Sequence, residues 1–385
     1  MSRQSELAQL GRVFDTGPLS NRNLIINGAM TVAKRGTSVT EINNSDDGYQ
    51  TTDRWKVIGT GTSGKVNMSQ ESDAPDGFEK STKFACHTAD TSILAGDAWR
   101  VETHLEAQDL RHLNYGVGST TAKKVTLSFW VKSNLTGTWA VGLYMDSTTG
   151  GDTTKKENSQ SYTINAANTW EYKTLTFSPN TLTNMNSTDN DHGLRVWFHM
   201  VAGSDFTSGT ADTWGASANR AIGHNVNLLS STSNNWYFTG VQLEVGDTAT
   251  PFEHRSYGDE LARCQRYTFI ISGAGYTPKT SGAYQRLPIH GNGTDNALWY
   301  PDFPVTMRAD PSLITSNFTS STVEVYNYST GNTAGFTSVA LAEGGKTSEQ
   351  VTFTLPSASD VASGHIVTWR WNNSPAAYIG FDAEL

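Results

Sequence analysis

Between residues 125 and 132 the chain reads VTLSFWVK. Apolar and polar side chains alternate at every step, so Val125, Leu127, Phe129 and Val131 share one face and Thr126, Ser128, Trp130 and Lys132 share the other. Only an extended strand separates residues in this way, because a helix repeats every 3.6 positions rather than every 2. The pattern recurs. Residues 139–146 put Trp139, Val141, Leu143 and Met145 inward, and residues 194–201 do the same with Leu194, Val196, Phe198 and Met200. Residues 236–245 place Tyr237, Thr239, Val241, Leu243 and Val245 on one face. Shorter strands are expected at 54–58, 83–87, 99–106, 161–164 and 170–177, with polar turn clusters such as 146–155 and 180–192 between them. No strand–helix rhythm interrupts the series, so the expected class is all-β, an antiparallel sandwich or barrel.

The organisation reads as three parts. Residues 1–22 stand apart: Leu7, Leu10 and Val13 fall on one face of a short helical stretch that ends at Phe14, before a breaker at Asp15-Thr16-Gly17-Pro18. Such a helix needs a surface to dock on. Residues 23–255 form the main sandwich. Residues 256–267 read as a short helical linker, with acidic residues early and Arg263 and Arg266 late, as the helix dipole favours. Residues 256–385 then form a smaller β-sandwich, with strands expected at 267–271, 284–289, 297–300, 322–328, 350–355, 365–371 and 377–385. Residues 303–311, bounded by prolines, read as extended chain outside the central strands.

The composition excludes several functions. The net charge of -9 lacks the basic stripe that nucleic acid requires. No stretch approaches the about 18 apolar residues of a membrane span, and no signal-peptide pattern opens the chain. Two cysteines, Cys86 and Cys264, are too few for a disulfide framework and are expected as free thiols. No Walker loop, GxGxxG, GxSxG or HExxH pattern occurs, and nothing calls for a metal or a cofactor. Glu102 with Glu106, and Asp189 with Asp191, are carboxylate pairs of the kind a glycosidase needs, but a chain with 37 acidic residues offers them by chance. The expected reading is no catalytic residue, and Asp189-Asn190-Asp191 as an Asx turn rather than a calcium loop.

The aromatic residues carry the positive signal: 11 Trp, 14 Tyr and 15 Phe. Taken as one surface, the polar faces of the best strands present Trp130 and Lys132; Tyr144 and Asp146; Arg195, Trp197 and His199; and Gln242 and Glu244. Rings mixed with charged and amide groups suit a sugar, whose apolar face stacks and whose hydroxyls bond. They equally suit a contact between subunits, and a face simply covered by a flanking strand or loop is the third reading.

Several stretches carry a resemblance. Residues 23–37 (NLIINGAMTVAKRGT) and 49–55 (YQTTDRW) are similar to the opening of many bacteriophage tail-fibre and virion structural proteins. Residues 237–257 (YFTGVQLEVGDTATPFEHRSY) and 260–267 (ELARCQRY) resemble the end of the same module. Residues 303–307 (FPVTM) and 378–385 (YIGFDAEL) look like the distal domain of such fibres. The resemblance implies a jelly roll like those of carbohydrate-binding modules, a homotrimer, and a place in the virion, assembled in the host bacterial cytoplasm. It also implies attachment to a tail adaptor or nozzle protein through Leu7, Leu10, Val13 and Phe14, and recognition of a host surface glycan without turnover. The receptor contact would lie on the jelly roll or on distal loops at 291–296 and 329–333. A purely structural virion protein and a polysaccharide depolymerase are the alternatives. Within these motifs, Asn27 and Gly28 read as a turn that needs tolerant backbone angles.

Overall fold

The computed structural model describes residues 21–145, 156–185, 189–215, 220–272, 287–291, 296–316, 318–319, 323–344, 347, 349–354, 361, 365–371 and 378–385. The expected docking helix with Leu7, Leu10, Val13 and Phe14, and Asp146 with the turn that follows it, lie outside the described residues. The protein is all-β, and among the described residues every strand pair is antiparallel. It divides into two units within one helix, after Glu260, against the boundary at 255 expected from the sequence.

Strands are numbered along the chain. The first unit holds two six-stranded sheets. In sheet order, one runs β1 (Ser38–Ile42), β4 (Lys65–Glu71), β5 (Ser81–Thr88), β12 (Asn235–Val245), β7 (Val125–Ser133) and β10 (Glu171–Phe177). The other runs β2 (Gly48–Tyr49), β3 (Lys56–Thr60), β6 (Ala98–Glu106), β11 (His192–Ala202), β8 (Gly137–Met145) and β9 (Lys156–Ile164). Chain neighbours such as β7 and β8 fall in different sheets, so the chain crosses the sandwich repeatedly, as in a jelly roll. Between the sheets lies one apolar core. The inward residues of β7, β8 and β11 named above are all buried there. Phe129 of β7 meets Phe198 of β11 edge-on at 5.0 Å, a contact that closes the two sheets on each other.

β12 departs from its sequence pattern. Trp236 and Phe238 lie in the apolar core, whereas Tyr237 is on the opposite face with Thr239, which is itself covered and donates its hydroxyl to the Lys80 carbonyl at 2.7 Å. The pairing with β7 slips between Thr239 and Gln242, where Gly240 takes a φ of +61°. This bulge inserts one residue and reverses the alternation, so that Val241 and Leu243 return inward.

The Asn27–Gly28 turn is set by two different causes. Asn27 adopts a φ of +58°. Its Nδ2 donates to the carbonyls of Val32 and Asp53, each at 2.8 Å, and its Oδ1 accepts from the Val32 amide at 3.0 Å. Gly28 is needed for closeness: a Cβ there would lie 2.1 Å from the Val241 carbonyl oxygen.

The helix α1 (Tyr257–Gln265) begins at Ser256, whose Oγ accepts from the Asp259 amide at 3.1 Å. The second unit holds a three-stranded sheet of β13 (Thr268–Ser272), β22 (Tyr378–Asp382) and β16 (Ser312–Ser316). Its seven-stranded sheet runs β18 (Thr333–Ala334), β17 (Val323–Asn327), β21 (Ile366–Trp371), β14 (Leu287–Gly291), β15 (Asn296–Trp299), β20 (Glu349–Thr354) and β19 (Ser338–Gly344). A separate core including Trp299, Met307, Val351, Ile379 and Phe381 serves this unit. Cys86 and Cys264 are both buried, one in each unit, and are not joined to each other.

Candidate functional site

The outer face of the first sheet of the large unit carries a row that runs across four strands. In register, Lys83 of β5 lies opposite Tyr237 of β12, and Tyr237 opposite Lys132 of β7. Trp170, just before β10, continues the row: its ring lies 5.1 Å from the Lys132 ammonium. Cation and ring alternate. The Tyr237 ring has the Lys132 ammonium at 4.5 Å and that of Lys83 at 5.3 Å. One pleat along, Tyr172 of β10 pairs with Trp130 of β7, their ring centroids 5.3 Å apart. Tyr172 is 45% exposed, and Trp130, Trp170 and Tyr237 are half-buried, so ring surface is available to a ligand.

Asp73 organises the polar part of this face. It accepts from the Lys132 ammonium and, at 3.1 Å, from Trp170 Nε1. The Lys132 hydrogen bond, assisted by Trp170 and by nearby Lys83, holds the Asp73 carboxyl below its ordinary range against a small desolvation cost. The Gly240 bulge shapes the neighbouring surface. A Cβ there would meet Phe78 Cζ at 2.6 Å and Trp130 Cδ1 at 3.0 Å. Phe78 in turn packs edge-on against Phe252 at 5.0 Å.

The residues picked from the sequence do not form the single surface expected of them. β7 and β12 pair in one sheet, and β8 and β11 in the other, so the set divides between opposite sides of the sandwich. Trp130 and Lys132 belong to the face just described. Gln242 and Glu244 lie in the same sheet but are fully covered. Glu244 accepts from the Thr250 amide at 2.8 Å and from the Thr250 hydroxyl at 2.6 Å, and Gln242 Oε1 accepts from the Glu253 amide at 2.8 Å. This pair fastens the segment that leaves the sandwich; it is not open to a ligand. Asp73, Lys83, Trp170, Tyr172 and Tyr237 are the residues the sequence reading did not select. For Trp170 and Tyr172 a signal exists, namely rings two residues apart on an alternating strand.

Tyr144, Arg195, Trp197 and His199 sit on the outer side of the second sheet, and three of them are nearly fully buried. Tyr144 stacks on Trp197 at 4.6 Å, with Arg195 over the former and Arg100 over the latter, both at 4.8 Å. Residues after β11 fold over them: the Ala140 amide donates to His224 Nδ1 at 3.2 Å, and the Ile222 amide to Ser159 Oγ at 3.1 Å. Rings covered in this way cannot serve as sugar platforms. Beside them, Glu102 accepts from Arg100 Nε at 2.9 Å and bonds His104 Nε2 at 2.7 Å. Desolvation pushes its carboxyl up, but His104, Arg100 and Arg195 outweigh it and hold the group down at about 2. Glu157 bonds Arg220 Nε at 2.9 Å. The Asp191 amide donates to Asp189 Oδ1 at 3.2 Å, an Asx turn.

Burial on this side has a consequence for acid stability. Desolvation lowers the His224 imidazole to about 4 from an ordinary 6.5. The unfolded chain therefore takes up a proton that the folded one refuses. Stability is complete above pH 6.5 and falls as the pH drops toward 4. At pH 5 this single group costs about 2 kcal/mol, or about 4–8 °C in melting temperature for a unit of this size. His199, displaced in the same direction by burial and by Arg100, adds to the fall. Thermal melts between pH 7 and pH 5 check this: the His224→Gln variant should show a shallower decline, and an equally steep one would refute the assignment.

No family model matches the chain, and no curated protein does. Among solved structures, it is similar to the enzymatically active domain of tailspike protein 4 of bacteriophage CBA120, at 15% identity over 58% of this chain and 22% of that one, with a TM-score of 0.30. It is also similar to the family 11 carbohydrate-binding module from Clostridium thermocellum in complex with a β-1,3-1,4-mixed-linked tetrasaccharide, at 13% identity over 57% of this chain and 99% of the module, with a TM-score of 0.26. A third is TmCBM61 in complex with β-1,4-galactotriose, at 12% identity over 59% of this chain and all of that one, with a TM-score of 0.27. The chain thus spans about a fifth of the tailspike chain it matches. TM-scores this low carry no structural argument, and the two-sheet architecture rests on the strand registers given above.

Proposed function

We propose that the large unit binds a glycan on the outer face of its first sheet, and that the protein is a receptor-binding part of a bacteriophage tail appendage. The observation that carries the glycan reading is the set of half-exposed rings of Trp130, Tyr172 and Trp170 around the Lys132–Asp73 pair. Flat rings stack on the apolar side of a pyranose, while the ammonium and the carboxylate serve its hydroxyls. The tail assignment is supported by the resemblance in residues 23–37, 49–55, 237–257, 260–267, 303–307 and 378–385. With it come a homotrimer, attachment by the N-terminal residues to an adaptor or nozzle protein, and a virion location. The reading is of binding without cleavage: Glu102 is held ionised by its cations and so does not offer the protonated acid that glycoside hydrolysis needs. Three weak sites on one trimer would gain avidity from linkage alone.

Affinity electrophoresis of the full chain through gels containing host surface polysaccharide tests this. Retardation of the wild type is expected, and Trp130→Ala or Tyr172→Ala should each weaken it about tenfold or more. Retardation that survives both substitutions would overturn the assignment of this face. Unretarded wild type, together with a lower solution mass for Trp130→Ala, would make the rings a contact between subunits instead.

A further inference from the structure

The glycan face contains a cation that forms no salt bridge among the described residues, although Asp73 feels its charge at longer range. Lys132 is taken by Asp73. Lys83 lies two strands away, opposite Tyr237, and has no carboxylate within salt-bridge distance among the described residues. Its diagonal neighbour Glu71 accepts the Ser69 hydroxyl at 2.6 Å. An ammonium held 5.3 Å from the Tyr237 ring centroid, beside stacking rings, is a point charge set into a binding surface. The protein's net charge of -9 does not oppose an anion there, because charges beyond about 8 Å are screened at physiological salt.

We propose that the glycan taken by this face is acidic, with a sugar carboxylate seated at Lys83. The inference rests on the glycan reading above and narrows it. Geometry adds a length requirement. With strands about 4.8 Å apart and Trp130 one pleat, about 7 Å, along β7 from the residue opposite Lys83, the two lie about 12 Å apart. A sugar stacked on Trp130 and a carboxylate at Lys83 therefore belong to different residues of one chain. The ligand is an oligo- or polysaccharide containing a hexuronic acid, not a free monosaccharide.

The test compares acidic polymers with their own neutral twins. Polygalacturonate, alginate and hyaluronate are each used as such and after reduction of their carboxyl groups to primary alcohols. The full chain is run through gels containing each. Wild type should be retarded by at least one acidic polymer and about tenfold less by its reduced twin. Lys83→Gln should lose that difference, while Lys65→Gln, at a lysine already paired with Glu41, should keep it. A merely ionic attraction to any surface lysine would weaken both variants alike and overturn the assignment to Lys83. Equal retardation by acidic and reduced polymers would overturn the acidic inference and leave the glycan reading standing. Retardation by neither kind in any pair would overturn both.

Discussion

Glu102→Leu is expected to destabilise the large unit by about 3–5 kcal/mol, the usual cost of removing one partner from a buried ionic group. Glu102 is fully buried, and it is the carboxylate that Arg100, His104 and Arg195 share. Without it, up to three cationic groups are left around one covered site, with the Trp197 and Tyr144 rings as the remaining acceptors of their field. A melting temperature lowered by about 10 °C or more follows for a unit of this size. Glu102→Gln keeps the shape and a hydrogen-bond acceptor and should lose less. Chemical denaturation of the three proteins decides: a loss below about 1 kcal/mol for the leucine variant would mean that the cluster is solvated and not the buried anchor described here. Glycan retardation should persist in Glu102→Gln, because Glu102 lies on the opposite sheet from the proposed site.

The second large effect is expected from one added methyl group. In Gly28→Ala, the new Cβ would sit 2.1 Å from the Val241 carbonyl oxygen, well inside van der Waals contact. The neighbour is backbone, held by the Val241 amide donating to the Gly28 carbonyl at 2.9 Å, so no side chain can turn aside. The turn and β12 must separate, and the Asn27 hydrogen bonds to Val32 and Asp53 go with them. A loss of about 3 kcal/mol or more is expected, at the upper end of overpacking costs. Gly96→Ala is the control, since its Cβ would find only Asp205 Oδ2 at 3.8 Å. Thermal melts of the two variants should differ by about 10 °C. If they coincide, the Gly28–Val241 approach is not a constraint on the fold.

The all-β class was legible because alternation is a local property: β7, β8 and β11 could be read from their own residues, to within a few positions at either end. What could not be read is which strands lie side by side. The jelly-roll crossing sends β7 and β8 to opposite sheets, so a list of outward residues drawn up strand by strand merged two faces that never meet. Burial of Tyr144 and Trp197 was equally hidden, because it depends on Ile222 and His224 returning over β8 and β9. Trp130 and Lys132 were found because their strand alternates cleanly. Asp73 escaped because it sits in a loop, and its role comes from an ion pair with a residue 59 positions away. Tyr237 is hidden for a different reason: the alternation of Val241 and Leu243 does not carry back through a bulge that no periodicity announces.

That bulge gives β12 two occupations. Upstream of Gly240, odd-numbered residues look outward and contribute Tyr237 to the ring-bearing face. Downstream, even-numbered residues look outward, and Gln242 and Glu244 clasp residues 250–253. Gly240 is the extra residue between the two halves. Without it, Thr239 would run directly into Val241, and Trp236, Phe238, Val241 and Leu243 would stay inward in one unbroken alternation. It is therefore the position of β12 where a deletion leaves both occupations standing; loss of another residue of the strand, with the bulge kept, would turn one half over, putting Tyr237 and Thr239 in the core or unfastening the exit segment.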